Sequence, residues 1–83
     1  MKILYFAWLR QRTGIGEEEV APPDTVGDVA SLIAWLKQRG PDFAEALRDT
    51  SAIRVAVNQE FASLDTVLTG NEEVALFPPM TGG

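Results

Sequence analysis

The 83 residues suffice for one domain around one core and leave too few for a second. Apolar residues make up 46% and charged residues 23%, the mixture of a folded chain, and the net charge of −5 disfavours nucleic-acid phosphate and anionic lipid as partners. Cysteine and histidine are absent, which excludes disulfides, thiolate nucleophiles, Cys- or His-built metal sites and the commonest general base.

The first run, Lys2 to Leu9, is apolar on both period-two faces, with Ile3, Tyr5, Ala7 and Leu9 against Leu4, Phe6 and Trp8. It predicts a central strand. It is too short for a signal peptide or a membrane span, so the cytoplasm is the expected location. Thr13-Gly14-Ile15-Gly16 punctuates, and Glu17 to Ala21 reads as an acidic second strand joined to the first as a hairpin. The glycines lack the third member of a dinucleotide fingerprint and open no helix, so they are turn residues.

Pro22-Pro23-Asp24 ends that strand. Thr25 and Asp28 resemble a capping box, and Val26, Val29, Ala30, Ile33 and Leu36 recur at helical spacing, predicting a helix over 26–39 with Gly40 as its stop. Pro41 opens a shorter helix in which Phe43 and Leu47 share a face. Ile53, Val55 and Val57 alternate with Arg54 and Ala56 as a half-buried strand. Asn58-Gln59 turns into a brief edge strand near residues 60–62. Residues 64–68 form a loop or a single helical turn, and Gly70-Asn71 is a second turn. Glu73 to Phe77 is the last strand, stopped by Pro78-Pro79, whose rings cannot donate to a ladder. The order predicts an α+β roll with helices on one face of a mixed sheet.

Without Cys or His, the usual catalytic constellations cannot be assembled. The end of the sequence is different. Two terminal glycines occur by accident in about one chain in 200, and here they follow a strand and a rigid Pro-Pro that favours an extended exit. One reading is a frayed end. The other is a carboxylate presented on a chain without side chains, able to thread a channel where a Cβ would collide. Adenylation would make that carboxylate an electrophile, and a sulfur donor would convert it to a thiocarboxylate. The protein would thereby acquire a reactive sulfur without a cysteine.

Tyr5-Phe6-Ala7, Arg10, Gly14, Thr25-Val26, Val57-Asn58-Gln59 and the run Glu73-Val74-Ala75-Leu76-Phe77-Pro78-Pro79-Met80-Thr81-Gly82-Gly83 resemble the small, sulfur-carrier subunits of molybdopterin synthase. The resemblance covers essentially the whole chain, and its last eleven residues are the specific part. It implies one ubiquitin-like β-grasp domain over 1–83, with one main helix, a second short one, and a flexible diglycine tail over 79–83. It also implies a cycle. A ubiquitin-activating-type enzyme uses ATP to adenylate Gly83, a sulfurtransferase system makes the thiocarboxylate, and the tail enters the large synthase subunit. There the sulfur passes to cyclic pyranopterin monophosphate, within a heterotetramer of two small and two large subunits.

By position, Gly83 carries the sulfur and Gly82 clears the channel. Phe77, Pro78, Pro79, Met80 and Thr81 meet the partner, Phe77 standing equally as a core residue. No metal and no bound cofactor are implied, and the chain is a carrier rather than an enzyme on its own. Its acidity fits that role, since the phosphorylated pterin needs basic groups that the large subunit must supply. Two departures stand out. The family's usual Gly-Asp-Glu before the last strand reads Asn71-Glu72-Glu73 here, with Asn71 expected to take the left-handed turn. Trp8 replaces a residue that is commonly polar, and is either covered by the first helix or added to a partner surface. A thiamine-thiazole sulfur carrier and a ubiquitin-like modifier joined to lysines remain the alternatives.

Overall fold

Five strands form one mixed sheet in the computed structural model, which describes residues 1–79. The expected tail, with the site residues Met80, Thr81, Gly82 and Gly83, lies outside the described residues apart from Pro79. The strands are β1 (Lys2–Tyr5), β2 (Glu17–Glu19), β3 (Arg54–Val57), β4 (Glu60–Ala62) and β5 (Glu73–Phe77), in the spatial order β2-β1-β5-β3-β4. Strands β1 and β5 pair in parallel at the centre, and the other pairs are antiparallel. Helices α1 (Ala7–Thr13), α2 (Val29–Lys37) and α3 (Pro41–Ala46) complete the β-grasp. Ile3, Tyr5, Val55, Val74 and Leu76 from the sheet meet Leu9, Val29, Leu32, Ile33, Leu36 and Leu47, all at most 5% exposed.

The expected strand over residues 2–9 is corrected: it stops at Tyr5, and Ala7 opens a helix that the sequence reading lacked. The register explains the stop. Tyr5 lies opposite Leu76, so two further residues would set Ala7 against Pro78, which has no N–H to continue a ladder. The helix has its own logic. Leu9 and Thr13 bury one face, and Gly14 ends it at φ 82, its N–H donating to the Arg10 carbonyl. Strands β1 and β2 do pair as neighbours, but a helix joins them instead of a hairpin turn. The reversal requires φ 54 at Ala7, a left-handed conformation that costs an alanine about 1–2 kcal/mol. Ala7→Gly is therefore expected to raise stability by about 0.5–1 kcal/mol, once the extra freedom of glycine in the unfolded chain is discounted. Denaturant unfolding checks this, and a destabilised variant would show that Ala7 carries no strain.

The rest follows the sequence more closely. Helix α2 starts three residues later than expected, because Asp28 is itself the cap rather than the distal acid of a Thr25 box. Its Oδ1 accepts from the Ser31 N–H at 2.8 Å while its own N–H donates to Ser31 Oγ at 3.2 Å. The loop over 64–68 serves the same helix end, since the Thr66 and Leu64 carbonyls accept from the Val29 and Ala30 N–H groups. A 3-10 turn at Thr50–Ala52 was not expected. Asn58 and Gln59 take φ 51 and 71, the two-residue turn expected between β3 and β4. Before β5 the left-handed residue is Gly70, at φ 114, and not Asn71. Burial opposes ionisation of the Glu72 carboxyl, yet N–H bonds from Thr69 and Gly70 and the Thr69 hydroxyl outweigh it, holding the pKa down at about 2.

Acidic β2 is an edge strand, and each of its glutamates has a cation. Glu17 meets Lys2 Nζ at 3.0 Å, Glu19 meets the Met1 amino group at 3.5 Å, and Glu18 turns inward to Arg39. There the buried Tyr5 hydroxyl donates to Glu18 Oε2 at 2.8 Å. Burial, and then this bond, push the phenol up, while the bond from Arg39 to Glu18 raises the guanidinium further. Charged edges also resist pairing with other sheets.

Candidate apolar docking face

Alternation along β5 decides which side of the sheet each residue serves. Val74 and Leu76 point into the core, whereas Glu73, Ala75 and Phe77 lie on the face away from it. Phe77 is therefore not a core residue, and of its two sequence readings only the outward one stands. Cross-strand partners share a face, so Leu4 and Ala56 flank Ala75, and Arg54 lies beside Phe77. Phe61 extends the row from β4, its ring 6.0 Å from that of Phe77.

At the end of β5 a shallow concavity is lined by Phe6, Ala7, Ala75, Phe77, Pro78 and Pro79. None of the six is charged. Phe6 is 47% exposed and Phe61 86%, so this face leaves aromatic carbon in water. The expected partner-binding residues Phe77, Pro78 and Pro79 thus come together, at the point where the chain leaves the sheet. Phe6 and Phe61 were missed. Phe6 was hidden by the long-strand reading, although an aromatic just before the helix would have been flagged had Gly14 been taken as a helix stop. Phe61, between Glu60 and Ala62 on a short edge strand, carried its signal in composition alone.

Trp8 lies elsewhere. It is half-buried on α1, packs against the core, and has the Arg12 guanidinium 5.6 Å from its ring. The shifted titration of Tyr5 comes from burial and then its bond to Glu18, those of Arg39 and Glu72 come from structural bonds, and Lys2 is raised by its hydrogen bond to Glu17. Among the described residues no cluster of three or more acidic side chains is placed to hold a metal ion. No described helix is long and apolar enough to cross a membrane. What the face offers is apolar contact area next to the end of β5.

The sequence pattern of the ThiS family matches residues 3–83. The chain belongs to that family. It is similar to the molybdopterin synthase sulfur carrier subunit of Escherichia coli (strain K12), with 39% identity across 100% of this chain and 99% of that protein. Among solved structures, it resembles a putative molybdopterin converting factor subunit 1 from Pyrococcus furiosus, at 34% identity, TM-score 0.76 and 95% coverage of both chains. The small archaeal modifier protein 1 of Haloferax volcanii aligns at 28% identity and TM-score 0.77, covering 96% of this chain and 97% of that one. The resemblance read from the sequence is borne out, as is the ubiquitin-like β-grasp; the correction is the additional helix α1.

Proposed function

We propose that this protein is the sulfur carrier of a molybdopterin synthase, acting in the cytoplasm through the terminal carboxylate of Gly83. The observation that carries this reading is the end-to-end similarity to proteins bearing that function in their names. A carboxylate is a poor electrophile, so the first step is attack of Gly83 on ATP within a separate adenylating enzyme, releasing pyrophosphate. A donor of sulfide-level sulfur then attacks the acyl carbon and displaces AMP, leaving the thiocarboxylate. In the large subunit its sulfur attacks a carbon of cyclic pyranopterin monophosphate and displaces oxygen from it, and water then cleaves the resulting thioester, leaving the thiol on the pterin and the carboxylate on Gly83. Gly82 gives the tail the slim profile that a channel requires. ATP belongs to the activating enzyme, and the carrier holds no cofactor of its own.

The body supplies the grip. Phe6, Phe61 and Phe77 are the anchors that we assign to the large subunit, with Pro78 and Pro79 directing Met80 and Thr81 toward its channel. Interfaces concentrate their energy in a few such apolar anchors. Two carriers flank two large subunits in the assembly we propose. A second reading, a modifier joined to lysines through an isopeptide bond, is favoured by the likeness to the archaeal modifier protein. The intact mass of the protein from its native cell separates them. A free species heavier by the exchange of one oxygen for sulfur is the expected result. Finding only high-mass conjugates, with no such species, would overturn it in favour of the modifier.

A further inference from the structure

The open face of the sheet is electrically lopsided, and that asymmetry describes a partner. Four of the seven basic side chains are paired: Lys2 with Glu17, Arg39 with Glu18, and Arg12 and Arg48 with Glu45. Among the described residues Arg10, Lys37 and Arg54 have no carboxylate within 4.0 Å. Two of these three stand at the apolar face. Arg10 shares a concavity with Leu4, Phe6 and Gly16, and Arg54 is the cross-strand partner of Phe77. Arg54 lies on β3 beside Phe77 of β5, and Arg10, on α1, shares the Phe6 concavity beyond β1, so the two arginines stand on either side of Phe77 at the end where the chain leaves. The opposite end of the same face is acidic, with Lys2 set between Glu19 and Glu73 in register and already held by Glu17.

Both guanidinium groups are exposed yet positioned. Arg54 Nη1 donates to the Ser51 and Ile53 carbonyls at 3.2 Å, which fixes the group and leaves its other nitrogens for a partner. Arg10 lies flat against Gly16, where an added Cβ would come within 3.0 Å of the guanidinium carbon, so the glycine makes room for it. Glu17 lines the same concavity but is engaged by Lys2. In a chain of net charge −5, two carboxylate-free arginines beside exposed aromatics are selective for an acidic rim.

We infer that the large-subunit surface receiving this face is an apolar socket with carboxylates on both sides, one facing Arg10 and one facing Arg54. This rests on the proposal that the open face docks on the large subunit. The two arginines steer the encounter and set its orientation, while the aromatics supply the lasting contact.

The experiment is stopped-flow association of the full-length carrier with its purified large subunit at low and high salt. The double variant Arg10→Glu/Arg54→Glu should associate at least about tenfold more slowly at low salt, with the gap closing as salt screens the charges. Arg10→Ala/Arg54→Ala should show a smaller loss of the same sign, and it serves if the reversed pair folds poorly. The matched control Lys37→Glu/Arg48→Glu makes the same change in net charge away from this face and should stay close to the parent. Parent-like association of both arginine pairs, or an equal loss in the control, overturns the inference and leaves the docking face standing. Parent-like binding by Phe77→Asp would instead remove the docking face, and the inference with it.

Discussion

Replacing Gly82 by valine is expected to stop sulfur transfer while leaving the protein folded. The core is closed by Leu76, and no residue beyond it contributes a buried side chain among those described, so the stability change should stay within about 0.5 kcal/mol. Chemistry is far less tolerant. The terminal carbonyl must come within about 3–3.5 Å of its reacting partner, and a displacement near 1 Å can cost about a hundredfold. A β-branched side chain in a channel shaped for glycine imposes at least such a displacement. Deleting Gly83 should be worse, because the carboxylate then stops one residue short of the adenylating site. Adding a residue after Gly83 should be equally disabling, by carrying the reactive group past it. Thiocarboxylate formation read by mass, followed by sulfur transfer in the reconstituted synthase, measures all three. A Gly83 deletion that still becomes thiocarboxylated and still supports pterin sulfuration would end the carrier reading.

Adjacent residues on β5 should behave in opposite ways. Leu76 is fully buried between the central strands and the helices, so Leu76→Ala should cost about 2–5 kcal/mol, a large share of the roughly 5–15 kcal/mol that holds a small domain folded. Phe77 lies on the other face, touching Phe61, and Phe77→Ala should cost about 1 kcal/mol or less in stability. Binding reverses the order. Loss of the Phe77 ring should weaken association with the large subunit by about 2 kcal/mol or more, the scale of a buried anchor. Denaturant unfolding and calorimetric titration provide the two readings. A Phe77→Ala protein that loses as much stability as Leu76→Ala would put the ring back in the core, and unchanged affinity would remove it from the interface.

The face carrying these aromatics was only partly legible in the sequence. Phe77-Pro78-Pro79 announced itself because two prolines after an alternating strand have few other uses. Phe6 and Phe61 did not, since they are distant in the chain from each other and from Phe77. Only the pairing of β1 and β3 with β5, and of β4 with β3, brings them to one surface.

By itself the sequence determined the period-two strands, the helix around Ile33 and Leu36, the Pro41 helix start and the turn at Asn58-Gln59, because each is a local preference written in neighbouring residues. It also determined which chemistry was out of reach, through the missing Cys and His. Where β1 ends was decided by tertiary structure. Residues 7–9 satisfy both a strand and a helix pattern, and the choice falls to β5, whose prolines offer Ala7 no ladder to continue. The same holds for Phe77. An alternating strand states that its two faces differ, but which face meets the helices depends on the strands beside it, and those come from residues far away in the chain.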